Sequence, residues 1–215
     1  MPLPPNKTVE EHTQTQAEFL QDKLEPALAE AKAGRAQLFF VDAAHFVMGS
    51  FLCCVWCWVR MMIRGASGRK RYSVLGAWNA LTNGLVSVTT DTVVNRETMC
   101  ALLRKIAALG LTGPISIVLD NARYQHCAIV KELAQQLNIQ LLFLPSYSPN
   151  LNLIERLWRF VKKKVLYGRH YASFVDCRGA IDGCLDKIST DHRDALKTLM
   201  THEFQKFDNV SILAA

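Results

Sequence analysis

A chain of 215 residues that is half hydrophobic can bury a sizeable core, as one large domain or two small ones. Its formal net charge of +6 hides an asymmetry: residues 1–34 carry six acids against three lysines, so the remainder holds 22 basic and 13 acidic residues, a net +9 suited to a polyanionic partner. Seven cysteines, an odd number, behind the polar start MPLPPNKTVEEH argue against a secreted disulfide framework and for a reducing cytoplasm.

In chain order, Glu10 to Lys32 reads as helix with a kink or restart at Pro26, closed by Gly34. Ala36–Val41 is the first strand, with Asp42 expected at its end. The apolar stretch Leu38–Val59 is interrupted by Asp42, His45 and the Gly49–Ser50 turn, and each half is too short to span a bilayer. It is therefore read as two strand-like segments, the second being Phe51–Val59. Tyr72–Leu81 and Leu85–Thr89 form a hairpin through Asn83–Gly84. Asn95–Leu109 is helical and stops at Gly110. The strand Ile115–Leu119 ends on Asp120, a helix covers about 124–137, and a strand runs from Ile139 to Leu144. From Asn152 to about Leu166, residues Ile154, Leu157, Trp158, Val161 and Val165 form one apolar stripe of a helix. Helical segments follow around 174–188 and 191–207. A meander followed by βαβ units predicts an α/β fold, a mixed sheet with helices on both faces.

Three carboxylates stand out. Asp42 and Asp120 close apolar strands, and Glu155 opens a helix, with thirty-four residues between it and Asp120. Hard divalent cations want oxygen ligands, and two of them about 4 Å apart can activate a water and stabilise a leaving oxygen. The segments carrying these acids are FFVDAAHF, VLDNARYQH and LPSYSPNLNLIERLWRFVKK. They resemble, in order, the surroundings of the first, second and last acids of the mariner-type (DDE) bacterial insertion-sequence transposases. The similarity covers roughly residues 36–185. It departs at Leu153, where the family usually has proline, which alters the rigidity of the turn.

The resemblance implies a ribonuclease H-like catalytic domain over 36–190, after a helical leader of 1–35 and before a C-terminal helix and tail of 191–215. It also implies Asp42 bridging two Mg²⁺ (or Mn²⁺) ions, with Asp120 and Glu155 holding one each. Strand cleavage and strand transfer of transposon ends into target DNA would follow, with a TA target preference and a homodimer in the active complex. The family usually carries helix-turn-helix modules ahead of this domain. The leader here is too short and acidic to be one, so a partner chain or a missing N-terminal module is expected to supply DNA recognition. Two alternatives remain open: a catalytically silent DNA-binding remnant, and a ribonuclease H-like nuclease.

Each feature also has a plainer explanation. Asp120–Asn121 can simply open a turn. Asn152 with Glu155 three residues later fits a capping box serving the helix alone. His45, Asn121, His126 and Asn152 are candidates for orienting a metal water or a phosphate around the acids. Arg156, Arg159, Lys162, Lys163 and Lys164, with Arg69, Lys70 and Arg71, are candidate phosphate contacts; a solvated charged face is the plainer reading. Cys54 and Cys57 have zinc-ligand spacing, yet no second pair follows, so Cys53, Cys54 and Cys57 read as core.

Overall fold

The computed structural model of the chain describes residues 8–48 and 70–204. The Phe51–Val59 segment, the cysteines at 53, 54 and 57, and Arg69 lie outside the described residues.

Five strands form one mixed sheet in the order β3-β2-β1-β4-β5: β1 Gln37–Val47, β2 Arg71–Asn79, β3 Leu85–Thr90, β4 Ile115–Leu119 and β5 Ile139–Phe143. The β1–β2–β3 meander is antiparallel, whereas β4 and β5 add in parallel through helical crossovers. This is the ribonuclease H-like arrangement expected from the sequence. Asn83, at φ 58°, makes the tight β2–β3 turn, and Gly110, at φ 62°, lets the chain leave the helix before β4.

Helices cover both faces. Helices α1 Val9–Phe19 and α2 Glu25–Lys32 are joined by a π turn, Leu20–Leu24, just ahead of Pro26. With α5 Ile154–Val165, α6 Phe174–Asp186 and α7 Arg193–Leu199 they share one core. Helices α3 Arg96–Ala107 and α4 Ala128–Gln136 cover the other face. The period-two alternation of β1 sorts its residues: Leu38, Phe40, Ala44 and Phe46 join the α5 core, while Phe39 and Val41 join the α3–α4 core. Phe19, Leu20, Leu24 and Leu28 of the leader are buried in the α5 core, so α1 and α2 pack into the sheet assembly. Among the described residues no helix is long and apolar enough to cross a membrane.

The last helix is shorter than the 191–207 expected, ending at Leu199, and one boundary at the centre of the sheet differs as well. β1 does not stop before Asp42 but continues to Val47, with Asp42 opposite Gly76 of β2. The parallel pairing of β1 with β4 does end early, at Phe40 opposite Val118. Asp42 therefore sits inside a strand yet beyond the reach of its neighbour, on an open shelf of the sheet.

Candidate active site

Asp42 shares the parity of Phe40 and Ala44, so its side chain belongs to the α5 face. Asp120 follows Leu119 at the end of β4; continuing the β1–β4 register by two residues sets it level with Asp42. Glu155 comes from the first turn of α5. All three line one pocket of about 440 Å³, walled by the segment from Leu144 to Pro149 and by Asn152. The segments expected to carry the acids thus converge from three elements distant in sequence.

The local bonds explain the placement. The carboxylate of Asp120 accepts from the Ala122 amide at 3.3 Å, a short turn that holds it at the strand end. The Asn152 amide group donates to the Val41 carbonyl at 3.1 Å, pinning the start of α5 to β1 beside Asp42. Asn152 is buried, and its Oδ1 has no partner among the described residues. The capping box is not realised. Helix α5 starts without a side-chain cap, and Asn152 is turned to β1. That frees the Glu155 carboxylate from the local role that would otherwise explain it.

Packing draws α5 close. The ring of Trp158 and the side chain of Ile154 lie over Gly76, the β2 residue opposite Asp42. A Cβ there would meet Trp158 at 2.7 Å. Only a residue without a side chain lets the helix bring Glu155 down to the sheet.

Two of the acids, Asp42 and Glu155, hold protons more tightly than ordinary carboxyls. Burial, then the charges of Glu155 and Asp120, push the Asp42 carboxyl up to about 8, against the Ala43 amide and Lys162. Burial also raises Glu155, aided by Asp120 and opposed by Lys162 and Arg159. In a metal-free buffer the folded chain then holds a proton on Asp42 that the unfolded chain releases near pH 4. Between that point and about 8 the folded state binds more protons, so stability should fall as pH rises. The melting temperature in EDTA is expected to be higher near pH 5 than near pH 8, with Asp42→Asn flattening the slope. An equal slope in both proteins would remove Asp42 as its source.

Not every expected residue joins the pocket. His45 lies on the opposite face of β1, its Nδ1 bonded at 3.0 Å to Ser73 Oγ, which itself donates to the Thr92 carbonyl. Its parity, odd where Asp42 is even, removes it from the acids. Asn121 does line the pocket, but its side chain braces the loop. It donates to the Leu144 carbonyl at 2.5 Å, and its Oδ1 lies 3.1 Å from His126, whose ring stacks on Phe143 at 4.0 Å. Arg156 is spent internally, its guanidinium donating to the carbonyls of Leu199, Thr201 and Glu203. Lys70 lies over the Phe174 ring at 5.7 Å, and Arg71 is exposed at the start of β2. Arg159, Lys163 and Lys164 are exposed, and Lys162 is half-buried near the acids.

The sequence reading missed Tyr124 and Tyr147. Tyr124 is half-buried near the acids: burial and the charges of Asp120 and Asp42 hold its hydroxyl firmly protonated. Its place four residues past Asp120 was the available signal. Tyr147 lines the acid pocket itself, between two prolines of the turn.

Comparison with known proteins decides the family. The family model described as DDE superfamily endonuclease matches residues 60–177, more than half of the chain, including Asp120 and Glu155. The chain belongs to the DDE superfamily of endonucleases. Its fold is similar to that of Mos1 transposase in a paired-end complex with the left transposon end, at 13% identity and a TM-score of 0.66, covering 95% of this chain and 67% of that one. A Mos1 mariner paired-end complex with Mn gives 14% and 0.66, covering 93% and 63%. The catalytic domain of Mos1 mariner transposase gives 12% and 0.60, covering 92% and 94%. This DDE chain therefore spans about two thirds of the transposase chains in those complexes and nearly all of the isolated catalytic domain. No curated protein matches it.

Proposed function

We propose that this DDE-superfamily chain is the strand-cleaving and strand-joining core of a DNA transposase, acting in the cytoplasm. The observation that carries the reading is the meeting of Asp42, Asp120 and Glu155 at one pocket. The donor set is all oxygen and suits Mg²⁺ or Mn²⁺, and the unpartnered buried Oδ1 of Asn152 adds an oxygen beside it. Among the described residues no three His, Cys, Asp or Glu side chains are grouped to hold a single ion. A bridging arrangement needs only two carboxylates per ion. Asp42, whose carboxyl is affected by both other acids, would take part in holding both ions, one together with Asp120 and one together with Glu155.

When bound, such a pair of ions would activate the attacking hydroxyl and compensate charge at the leaving oxygen. The chain's own groups do the rest. Asn152 fixes the start of α5 against β1, and Leu144 and Pro145 wall the pocket on the β5 side. Lys162 and Arg159 place positive charge beside the carboxylates, where a phosphate would enter. The solved Mos1 complexes named above contain paired transposon ends, which supports transposon DNA and a dimeric complex as the partners here. Sequence-specific recognition is assigned to a further module or partner chain.

The test is nicking of a supercoiled plasmid carrying the element's ends, with and without Mn²⁺. Metal-dependent nicks are expected. A chain that binds the plasmid and never nicks it, even with a recognition module added, would be the silent remnant. Preference for an RNA–DNA hybrid would make it a ribonuclease H-like nuclease. Independently of activity, Mg²⁺ or Mn²⁺ should raise the melting temperature by mass action, and Asp42→Asn should abolish the rise.

The basic face has its own test. If Arg159 and Lys162–Lys164 meet phosphates, the Lys162→Ala/Lys163→Ala double variant should weaken binding to all sequences. The slope of log affinity against log salt should fall by roughly two units. An unchanged slope would return these lysines to the solvent.

A further inference from the structure

We propose that the Tyr147 ring is a stacking platform for an unpaired nucleobase at the DNA step beside the reacting phosphate. This rests on the reading of the chain as a DNA-cleaving domain and adds the place where the base goes.

Tyr147 adopts φ 59° in the turn between β5 and α5. Among the described residues the other positive-φ positions are glycines or asparagines, which tolerate that conformation. A bulky aromatic residue there is strained, and strain of this kind collects at functional sites. The surrounding turn imposes it. Pro145 and Pro149 restrict the backbone on either side, and Ser148 is buried with its Oγ donating to the Ser146 carbonyl at 3.3 Å. Held this way, Tyr147 is 46% exposed and lines the pocket shared by Asp42, Asp120 and Glu155. The other exposed aromatic residue among those described, Tyr167, lies beyond the far end of α5 and does not line it.

Charge orients the DNA. The α5 side offers Lys162 and Arg159 near Glu155. On the other side, Pro145 and Ser146 also border a second cleft whose leader residues include Glu18 and Asp22 with Lys23. Phosphates favour the first side, which turns the bases toward the Pro145–Tyr147 side. There an exposed ring offers a π-face that any base can use, and stacking of this type tolerates sequence. A base can reach it only when unpaired, as it is next to an opened or nicked strand.

The experiment uses the full chain and a forked DNA duplex with 2-aminopurine as the unpaired base at the junction. Ca²⁺ replaces the catalytic ion, so that binding is read without cleavage. Anisotropy reports binding, and 2-aminopurine emission reports stacking. Wild type and Tyr147→Phe should quench the emission on binding. Tyr147→Gly, which also relieves the positive-φ strain and so keeps the fold, should bind without quenching. Its affinity for the fork should fall roughly five- to one-hundred-fold, with the salt slope unchanged. Quenching by Tyr147→Gly equal to wild type, or binding by wild type without quenching, would overturn the proposal and leave the nuclease reading intact. No binding by wild type at all would overturn both.

Discussion

Asp120→Asn is expected to leave the fold and DNA binding in place while lowering plasmid nicking at least roughly 100-fold. The amide is nearly isosteric, and its oxygen can still accept from the Ala122 amide, so the turn after β4 survives. What disappears is one negative charge from a pocket lined by three acids. Two effects follow. Cation affinity drops, because the proposed ion at Asp120 loses half of its protein carboxylates. The barrier also rises, because charge developing on the transferring phosphoryl group is less well compensated. Raising the Mn²⁺ concentration should recover the first loss and not the second. Nicking by Asp120→Asn equal to wild type would sink the acid-triad mechanism.

Gly76→Ala should be the most damaging single methyl that can be added to the sheet. The new Cβ would lie 2.7 Å from two ring atoms of Trp158 and 3.2 Å from Ile154. Trp158 is 2% exposed, so its ring has no open space to move into. Overpacking of this sort costs about 1–3 kcal/mol. For a domain of this size that lowers the melting temperature by roughly 3–10 °C. The larger effect is on activity. Helix α5 must lift, and Glu155 rides on its first turn; a shift of about 1 Å can cost on the order of 100-fold in rate. Trp158→Phe removes the outer part of the ring, so the Gly76→Ala/Trp158→Phe pair should recover more than the sum of its single effects. A Gly76→Ala protein with wild-type melting and nicking would show that this contact limits neither.

The acids were legible because each ends or interrupts an apolar run, and the sheet followed from where those runs fall. The Asn83–Gly84 hairpin and the helix stop at Gly110 were legible for local reasons of turn chemistry. What escaped depends on pairing. Nothing local says that β1 continues past Asp42 while its β4 partner stops, yet that mismatch creates the opening at the site. Had the strand been carried to Val47, alternation would already have put His45 on the wrong face. The internal bonds of Arg156 escaped for another reason: its carbonyl partners lie more than forty residues later in the chain. The fate of Asn152 was likewise decided by a distant group, the Val41 carbonyl, which competed with the helix end for its side chain.

The leader has a mechanical side. Gln16 of α1 is buried, 2.8 Å from His12 on its own helix, and accepts from Asn150 at 3.0 Å in the short 3₁₀ turn Pro149–Leu151. Two residues further along the chain, Asn152 is tied to β1, and Glu155 follows on the next turn. A pull applied at Thr8 would therefore be carried into the domain. It would load a stiff rod, anchored by Phe19 and Leu20 as a fulcrum, whose working end is the peptide that carries Glu155. Any recognition module joined there would act on that rod, and its grip on DNA would be felt as torque at the carboxylate.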